Sequence, residues 1–328
     1  MLKSIDLFAG IGGIRLGFEK AFGDELKTVF VSEWDEYAQK TYKANFHDDF
    51  EIAGDITKIK ETDIPDFDIC LAGFPCQAFS LAGQRKGFKD DYKGMSRGTL
   101  FFDVARICAE KKPKVIFCEN VKGLTIHDKG RTFEIITETL KEIGYTPFEQ
   151  ILNSRNFGVP QNRERIYIVA FRDEKDFNKF HWPLSIPLTT TVKDIIDFDT
   201  KVDDKYYYTE GKYKGDIYKL LVEATKDDDI NHPAIYQWRR KYVRQNKSGV
   251  VPTLTANQGE GGHNVCIVKT KQGLRKMTPR ECFNTQGFPK NYKLPKKQSD
   301  ARLYKQAGNS VCVPVINRIA ENILEAIK

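Results

Sequence analysis

Cys76 lies in the run Gly73-Phe74-Pro75-Cys76-Gln77-Ala78-Phe79-Ser80, directly after the apolar stretch from Phe67 to Ala72. The glycine and proline around it read as a loop, and a thiol in a loop is exposed enough to act as a nucleophile once it is ionised. Cys70, Cys108, Cys118, Cys266 and Cys312 instead stand among Ile, Val, Leu, Phe or Ala, the usual setting of a cysteine that packs as a small hydrophobe. The chain has seven cysteines, an odd number with no Cys-x-x-Cys pair, so neither a disulfide framework nor a zinc site is expected.

A second group of residues has the types needed to hold a nucleoside. In Asp6-Leu7-Phe8-Ala9-Gly10-Ile11-Gly12-Gly13, glycines follow an apolar run and precede a helical pattern, which permits a tight turn and close approach of a ligand to the backbone. The pattern is not the G-x-G-x-x-G dinucleotide fingerprint, and a plain turn is the bland alternative. Glu33-Trp34 ends the next apolar run, where a carboxylate could accept from both ribose hydroxyls and an indole could stack on a purine. Gly54-Asp55-Ile56-Thr57 adds a carboxylate able to accept from an adenine amino group.

The elements that must position these residues follow from hydrophobic patterning. Short apolar runs at Ser4 to Phe8, Thr28 to Ser32, Phe67 to Ala72, Lys114 to Cys118 and Arg165 to Phe171 predict buried strands. Amphipathic stretches between them, with Ile14, Phe18 and Phe22 on one face and Phe101, Val104, Ala105 and Cys108 on another, predict crossover helices. The alternation implies an α/β fold built on a parallel sheet. From about Glu174 to Thr270 the alternation fades, which marks a second, smaller domain whose strands the sequence does not place. Ile316, Ile319, Ala320, Ile323, Leu324 and Ile327 then restore a helical stripe that should pack on the first domain.

The chain is 328 residues long, 40% hydrophobic and 30% charged, in the range of a folded protein with more than one domain. No apolar run has the length of a membrane span, and the N-terminus lacks the pattern of a signal peptide, so a cytoplasmic protein is expected. The formal net charge of +7 is compatible with a polyanionic partner without requiring one. Its distribution is more informative. Arg239, Arg240, Lys241, Arg244 and Lys247 fall between Asn231 and Val250 with no acidic residue among them. This stretch could bind phosphates or read guanine through bidentate arginine contacts, and a solvated basic helix face is the alternative.

The loop around Pro75-Cys76-Gln77 resembles the nucleophile motif of the DNA (cytosine-5)-methyltransferase family, of the bacterial restriction-modification type. Further family-like runs follow in order: Glu119-Asn120-Val121, Gln161-Asn162-Arg163-Glu164-Arg165, Arg275-Lys276-Met277-Thr278-Pro279-Arg280-Glu281 and Gly308-Asn309-Ser310-Val311. Thr253-Leu254, followed by Thr255-Ala256, is similar to the Thr-Leu signature of the family's target-recognition regions. The resemblance implies a Rossmann-like S-adenosylmethionine-dependent sheet domain over residues 1–173, completed by 303–328, with a target-recognition domain over 174–302.

It also implies roles. Cys76 adds to cytosine C6, Glu119 holds N3 and the exocyclic amine, and Arg163 and Arg165 supply positive charge, Arg165 also reaching O2. S-adenosylmethionine is expected against Phe8, Gly10, Ile11, Gly12, Gly13, Glu33, Trp34, Asp55, Ile56, Phe74, Pro75, Leu100, Asn309 and Ser310. Double-stranded DNA carrying a short specific site, with the cytosine flipped out, is expected against Ser80, Gln84, Arg85, Lys86, Arg97, Arg239, Arg240, Arg244 and Thr253. The resemblance further suggests a monomer whose cognate restriction endonuclease acts separately. Three alternatives compete: a tRNA methyltransferase of the same family, a catalytically dead DNA-binding module, and a dinucleotide-dependent oxidoreductase. The length and basic cluster of the second region oppose the first, the presence of all the named catalytic residues the second, and the missing fingerprint the third.

Overall fold

The computed structural model describes residues 1–75, 100–213, 215–229, 232–239, 241–258 and 266–328. The first half of the chain supplies strands β1 (Leu2–Leu7), β2 (Leu26–Ser32), β3 (Ile69–Ala72), β4 (Val115–Val121) and β5 (Thr146–Asn153), and helices α1 (Gly13–Phe22), α2 (Glu36–Asn45), α3 (Leu100–Lys111) and α4 (Arg131–Glu142). There follow β6 (Gln161–Asn162), β7 (Glu164–Phe171), α5 (Glu174–Lys179), α6 (Val192–Ile195) and α7 (Ile217–Ala224). The remaining strands are β8 (Ile235–Trp238), β9 (Val243–Asn246), β10 (Val251–Pro252), β11 (Cys266–Thr270) and β12 (Gly273–Lys276), and the last helices are α8 (Pro279–Thr285), α9 (Asp300–Asn309) and α10 (Val313–Ile327).

The chain divides into two compact units, one of residues 1–152, 164–184 and 315–328, the other of 153–163 and 185–314. In the first, six strands form one sheet in the order β2-β1-β3-β4-β7-β5. β1 pairs in parallel with both β2 and β3, and β3 with β4. β7 departs from the expected all-parallel arrangement by running antiparallel to β4, with Glu119 opposite Tyr167 and Val121 opposite Arg165. Periodicity alone could not show this, because a strand buried on both faces has the same apolar composition in either direction.

The central strands β3 and β4 are nearly continuous runs of buried apolar residues, as burial of both sheet faces requires, whereas the edge strand β2 mixes buried with half-buried and exposed positions. Phe18 of α1 packs edge-on against Phe117 of β4, with ring centroids 5.2 Å apart. The C-terminal stripe does return to this unit: Ile316, Ile319, Ala320 and Ile323 are fully buried, and the Ile316 side chain lies against Gly17 of α1. Because β1 sends the chain to β2 on one side and has β3 on the other, it marks the topological switch point. A crevice at the carboxyl ends of the strands is where such sheets bind ligands.

In the second unit, β12-β11-β8-β9 form a four-stranded antiparallel sheet. One face is closed by α7 through Tyr208, Ile217, Leu221, Tyr236, Ile267 and Leu274, with Trp238 and Val243 packed alongside. The run Arg275 to Glu281 is structural here. The fully buried Arg275 guanidinium meets the Glu281 carboxylate at 2.7 and 2.8 Å. Glu281 also closes the capping box at the start of α8 by accepting from the Thr278 amide at 2.7 Å.

Removing one member of such a pair leaves an uncompensated buried charge. Arg275→Met should therefore lower the unfolding free energy by about 3–5 kcal/mol in a denaturant titration, whereas Arg275→Met combined with Glu281→Leu should cost less than that single change. Equal or greater loss in the double variant would contradict the pairing.

Candidate active site

The turn from β1 to α1 is built from left-handed backbone, with φ of 56° at Phe8, 55° at Gly10 and 78° at Gly12. A Cβ at Gly12 would stand 2.2 Å from the Phe46 ring, so both the conformation and the space demand glycine there. The next strand delivers Glu33, whose Oε2 accepts from the Gly10 amide and Oε1 from the Asp35 amide, both at 2.7 Å. Burial raises the Glu33 carboxyl above its ordinary range, and these backbone donors pull it back. Each carboxylate oxygen retains a lone pair for a further donor. The Trp34 ring beside it is 78% exposed.

The third edge residue, Asp55, caps the short turn Ile56–Lys58, with Oδ1 accepting from the Thr57 hydroxyl at 2.7 Å. That bond holds its carboxyl below the usual range. Ile11, Gly13, Ile56 and Phe74 are buried, Pro75 is exposed and Leu100 is half-buried at the start of α3.

Beneath the turn, Asp6 of β1 is fully buried and neither carboxylate oxygen has a hydrogen bond. Burial pushes its pKa up to about 8, against the opposing pull of Arg15. Arg15 is itself held by Asp48 at 2.7 and 2.8 Å, by Tyr42 at 2.8 Å and by Glu19 at 2.6 Å.

Glu119 and Arg165 meet at the far end of β4. The antiparallel register sets Arg165 opposite Val121, so its side chain shares a face with Glu119 two residues away, and Arg165 Nε stands 3.2 Å from Glu119 Oε1. Both side chains are largely buried. Asn120, between Glu119 and Val121, donates from Nδ2 to the Phe74 carbonyl at 2.8 Å. It thereby ties the segment that leads to Cys76 onto β4. The motif Glu119-Asn120-Val121 gives Asn120 no role by residue type alone; its position directly after a candidate acid is the only signal of one in the sequence.

Within the second unit, Arg163 is buried and donates to the carbonyls of Leu254 at 3.0 Å, Gly308 at 3.3 Å and Ser310. It fixes the backbone around Asn309 and Ser310, of which Asn309 is exposed and Ser310 buried. Gln161 donates to Thr285 O and Gln286 Oε1, each at 3.0 Å, and accepts from the Leu254 amide.

Thr253 donates to the Asn162 carbonyl at 2.7 Å and, with Arg239 and Arg244, lines a 280 Å³ cleft. Tyr236 to Trp238 and Val243 to Asn246 are the two strands of a hairpin, so the solvated helix face considered for this run does not form. A larger cleft of 720 Å³ beside α8 is lined by Asp194, Asp197, Asp199 and Glu281 together with Lys193, Lys271, Lys290 and Arg280, and contains none of the predicted site residues. Cys76, Ser80, Gln84, Arg85, Lys86, Arg97 and Arg240 lie outside the described residues.

The family model described as C-5 cytosine-specific DNA methylase matches residues 2–325. Type II methyltransferase M.Bsp6I of Bacillus sp. (strain RFL6) is 53% identical over 328 residues, covering 100% of both chains. Type II methyltransferase M.HhaI of Haemophilus parahaemolyticus is 41% identical over 340 residues, covering 98% of this chain and 94% of that one. The crystal structure of S. pombe Dnmt2 methyltransferase superposes with a TM-score of 0.73 at 20% identity, covering 100% of both chains, which establishes likeness of fold. No helix among the described residues is long and apolar enough to cross a membrane.

The buried Asp6 generates a pH prediction. Its folded pKa of about 8 lies above the ordinary 3.8, so its contribution to stability is complete below about pH 4 and is lost as the pH rises through 8. Asp6→Asn removes that titration. Between pH 5 and pH 8 the wild-type melting temperature should fall relative to that of the variant, and parallel profiles would show that Asp6 is ionised in the folded protein.

Proposed function

The chain belongs to the C-5 cytosine-specific DNA methylases, and from that membership we propose that Cys76, Glu119 and Arg165 carry the methylation step on a cytosine flipped out of duplex DNA. The observation that carries this reading is the buried Glu119 and Arg165 pair at the carboxyl end of β4, tied through Asn120 to the segment preceding Cys76.

Cytosine C5 is a weak nucleophile. Addition of the Cys76 thiolate to C6 moves electron density onto C5; once C5 carries the transferred methyl group, loss of the C5 proton to solvent and departure of the thiolate from C6 would restore the aromatic ring as 5-methylcytosine. Glu119 donates to or shares a proton with N3, drawing off charge as C6 is attacked. Arg165 orients that carboxyl and provides positive charge near O2. Arg163 acts as an organiser of the Gly308 to Ser310 backbone, since its guanidinium is occupied by carbonyl oxygens.

The first unit's turn fits S-adenosylmethionine. The backbone around Gly10 is open, with the nearest atom 4.0 Å from where a Cβ would stand, the Glu33 carboxylate has lone pairs for two hydroxyls, and the Trp34 ring is exposed for stacking. When bound, that cofactor supplies an electrophilic sulfonium methyl group. Phe8, Gly12 and the Asp55 to Ile56 turn line the same strand edge, and Asn309 and Ser310 are assigned to the cofactor on motif grounds.

The names of relatives at 53% and 41% identity support a Type II modification enzyme acting on a short duplex site, with a cognate endonuclease as a separate protein. Duplex DNA is favoured over tRNA on the same ground.

Two variants test the reading. Cys76→Ser should abolish methyl transfer while retaining DNA binding, because affinity rests largely on phosphate contacts. Glu119→Gln keeps the shape of the side chain and should lower the single-turnover rate by roughly 10²–10⁴-fold with a smaller change in affinity. If the unaltered enzyme formed no covalent adduct with DNA carrying 5-fluorocytosine at the target, the covalent mechanism would be wrong.

A further inference from the structure

The hairpin β8-β9 has two chemically distinct faces. Trp238 and Val243 are opposite each other and pack with Tyr236 against α7. Gln237 and Arg244 are also opposite each other and point the other way, into the 280 Å³ cleft that Asn162, Arg239, Asn246, Pro252, Thr253 and Thr255 complete.

Most polar groups lining this cleft are paired internally. Asn162 Oδ1 accepts from Asn153 at 2.6 Å, and the Thr253 hydroxyl donates to Asn162 O at 2.7 Å. Asn246 bridges Val250 O at 2.5 Å and the Ser248 hydroxyl at 2.9 Å, and Thr255 donates to Asn257 at 2.8 Å. Gln237 and Arg244 differ: among the described residues neither side chain has a hydrogen bond or ion pair. Arg244 is exposed and can be hydrated, whereas Gln237 is 4% exposed. An amide so buried is costly without a partner, and this one opens onto a polar cleft.

We infer that Gln237 and Arg244 together read the major-groove edge of a single G·C base pair in the target site. A two-stranded ribbon fits the major groove, and side chains opposite each other on one face of such a ribbon have Cβ atoms about 4.5–5.5 Å apart. A G·C edge presents the acceptors N7 and O6 and then the N4 amino donor of cytosine. The Arg244 fork donates to N7 and O6, and Gln237 Oε1 accepts from N4. The match rejects the other pairs. An A·T edge sets an amino donor against the guanidinium, and the reversed C·G pair exchanges donors for acceptors.

This inference rests on the reading of the chain as a DNA methylase, and it assigns base recognition where the sequence left phosphate binding and base reading open for Arg244. Gln237 was not among the sequence-predicted DNA residues. Its signal was its place opposite an arginine across a hairpin, which required knowing that the hairpin exists.

The test is methylation of duplexes randomised around a cytosine, followed by conversion sequencing, for the wild-type enzyme, Gln237→Ala, Arg244→Ala and Arg244→Lys. The wild-type profile should contain a G·C pair at which all three variants lose discrimination by about ten- to a hundredfold, the other positions keeping theirs. Lysine retains the charge but not the fork, so recovery of the wild-type profile by Arg244→Lys, or a uniform loss across sequences in Arg244→Ala, would mark a phosphate contact and overturn the inference. Relaxation at different positions by Gln237→Ala and Arg244→Ala would overturn the pairing.

Should Gln237→Ala fail to fold, the wild-type enzyme on 7-deazaguanine at that pair gives an independent reading. Its rate should drop about tenfold while that of Arg244→Ala does not change further, and an unchanged wild-type rate would overturn the assignment. A wild-type enzyme that methylated no cytosine would instead overturn the functional reading itself, and this inference with it.

Discussion

The register between β4 and the antiparallel strand β7 constrains this site more than any other feature. Side chains on one face of an antiparallel pair repeat every second residue, so a slip of one residue would turn Arg165 to the opposite face from Glu119. With Val121 opposite Arg165, the guanidinium reaches back along the face to the carboxylate at 3.2 Å. The apolar residues on either side hold that register. Ile116, Phe117, Cys118, Ile166, Tyr167, Ile168 and Val169 are all buried, and shifting β7 would exchange which of them each sheet face receives. The contact between Glu119 and Arg165, proposed above to act in catalysis, is thus fixed by the packing of apolar residues on either side of it.

The same edge collects the other groups of the first unit. Parallel strands end side by side, so the turn after β1, Glu33 after β2, the Gly73 to Pro75 segment after β3 and Glu119 on β4 are neighbours by topology although far apart in the chain. Backbone amides then orient Glu33, and Asn120 secures the Phe74 carbonyl. Asp6 lies under this edge, where burial raises its pKa and so favours the uncharged carboxyl.

Much of this was legible in the sequence because buried strands leave a strong apolar signature. The apolar runs of β1 to β4 and β7, and the stripe of α10, match the observed elements to within a few residues. The strand β5 has no such signature. Most of its side chains are exposed or half-buried, so Thr146 to Asn153 has no continuous apolar run. The hairpin β8-β9 was hidden differently, since four-residue strands with one face on α7 and the other lining a polar cleft resemble a mixed basic segment. Arginine roles were equally opaque. Arg163 and Arg165 stand two residues apart in one motif, yet Arg163 donates to carbonyls within the second unit while Arg165 pairs with Glu119 in the first. Only the partners distinguish them, and residue type and spacing do not reveal partners.

Whether Glu119 and Arg165 act on the cytosine ring as one unit is read from a double-mutant cycle on the single-turnover methylation rate with Glu119→Gln, Arg165→Ala and the combined variant. Groups that function together give strongly non-additive effects, with coupling on the order of 0.5–3 kcal/mol for residues in contact. The double variant should therefore be scarcely slower than the slower of the two single variants. Rate losses that simply multiply, leaving a coupling near zero, would contradict the account.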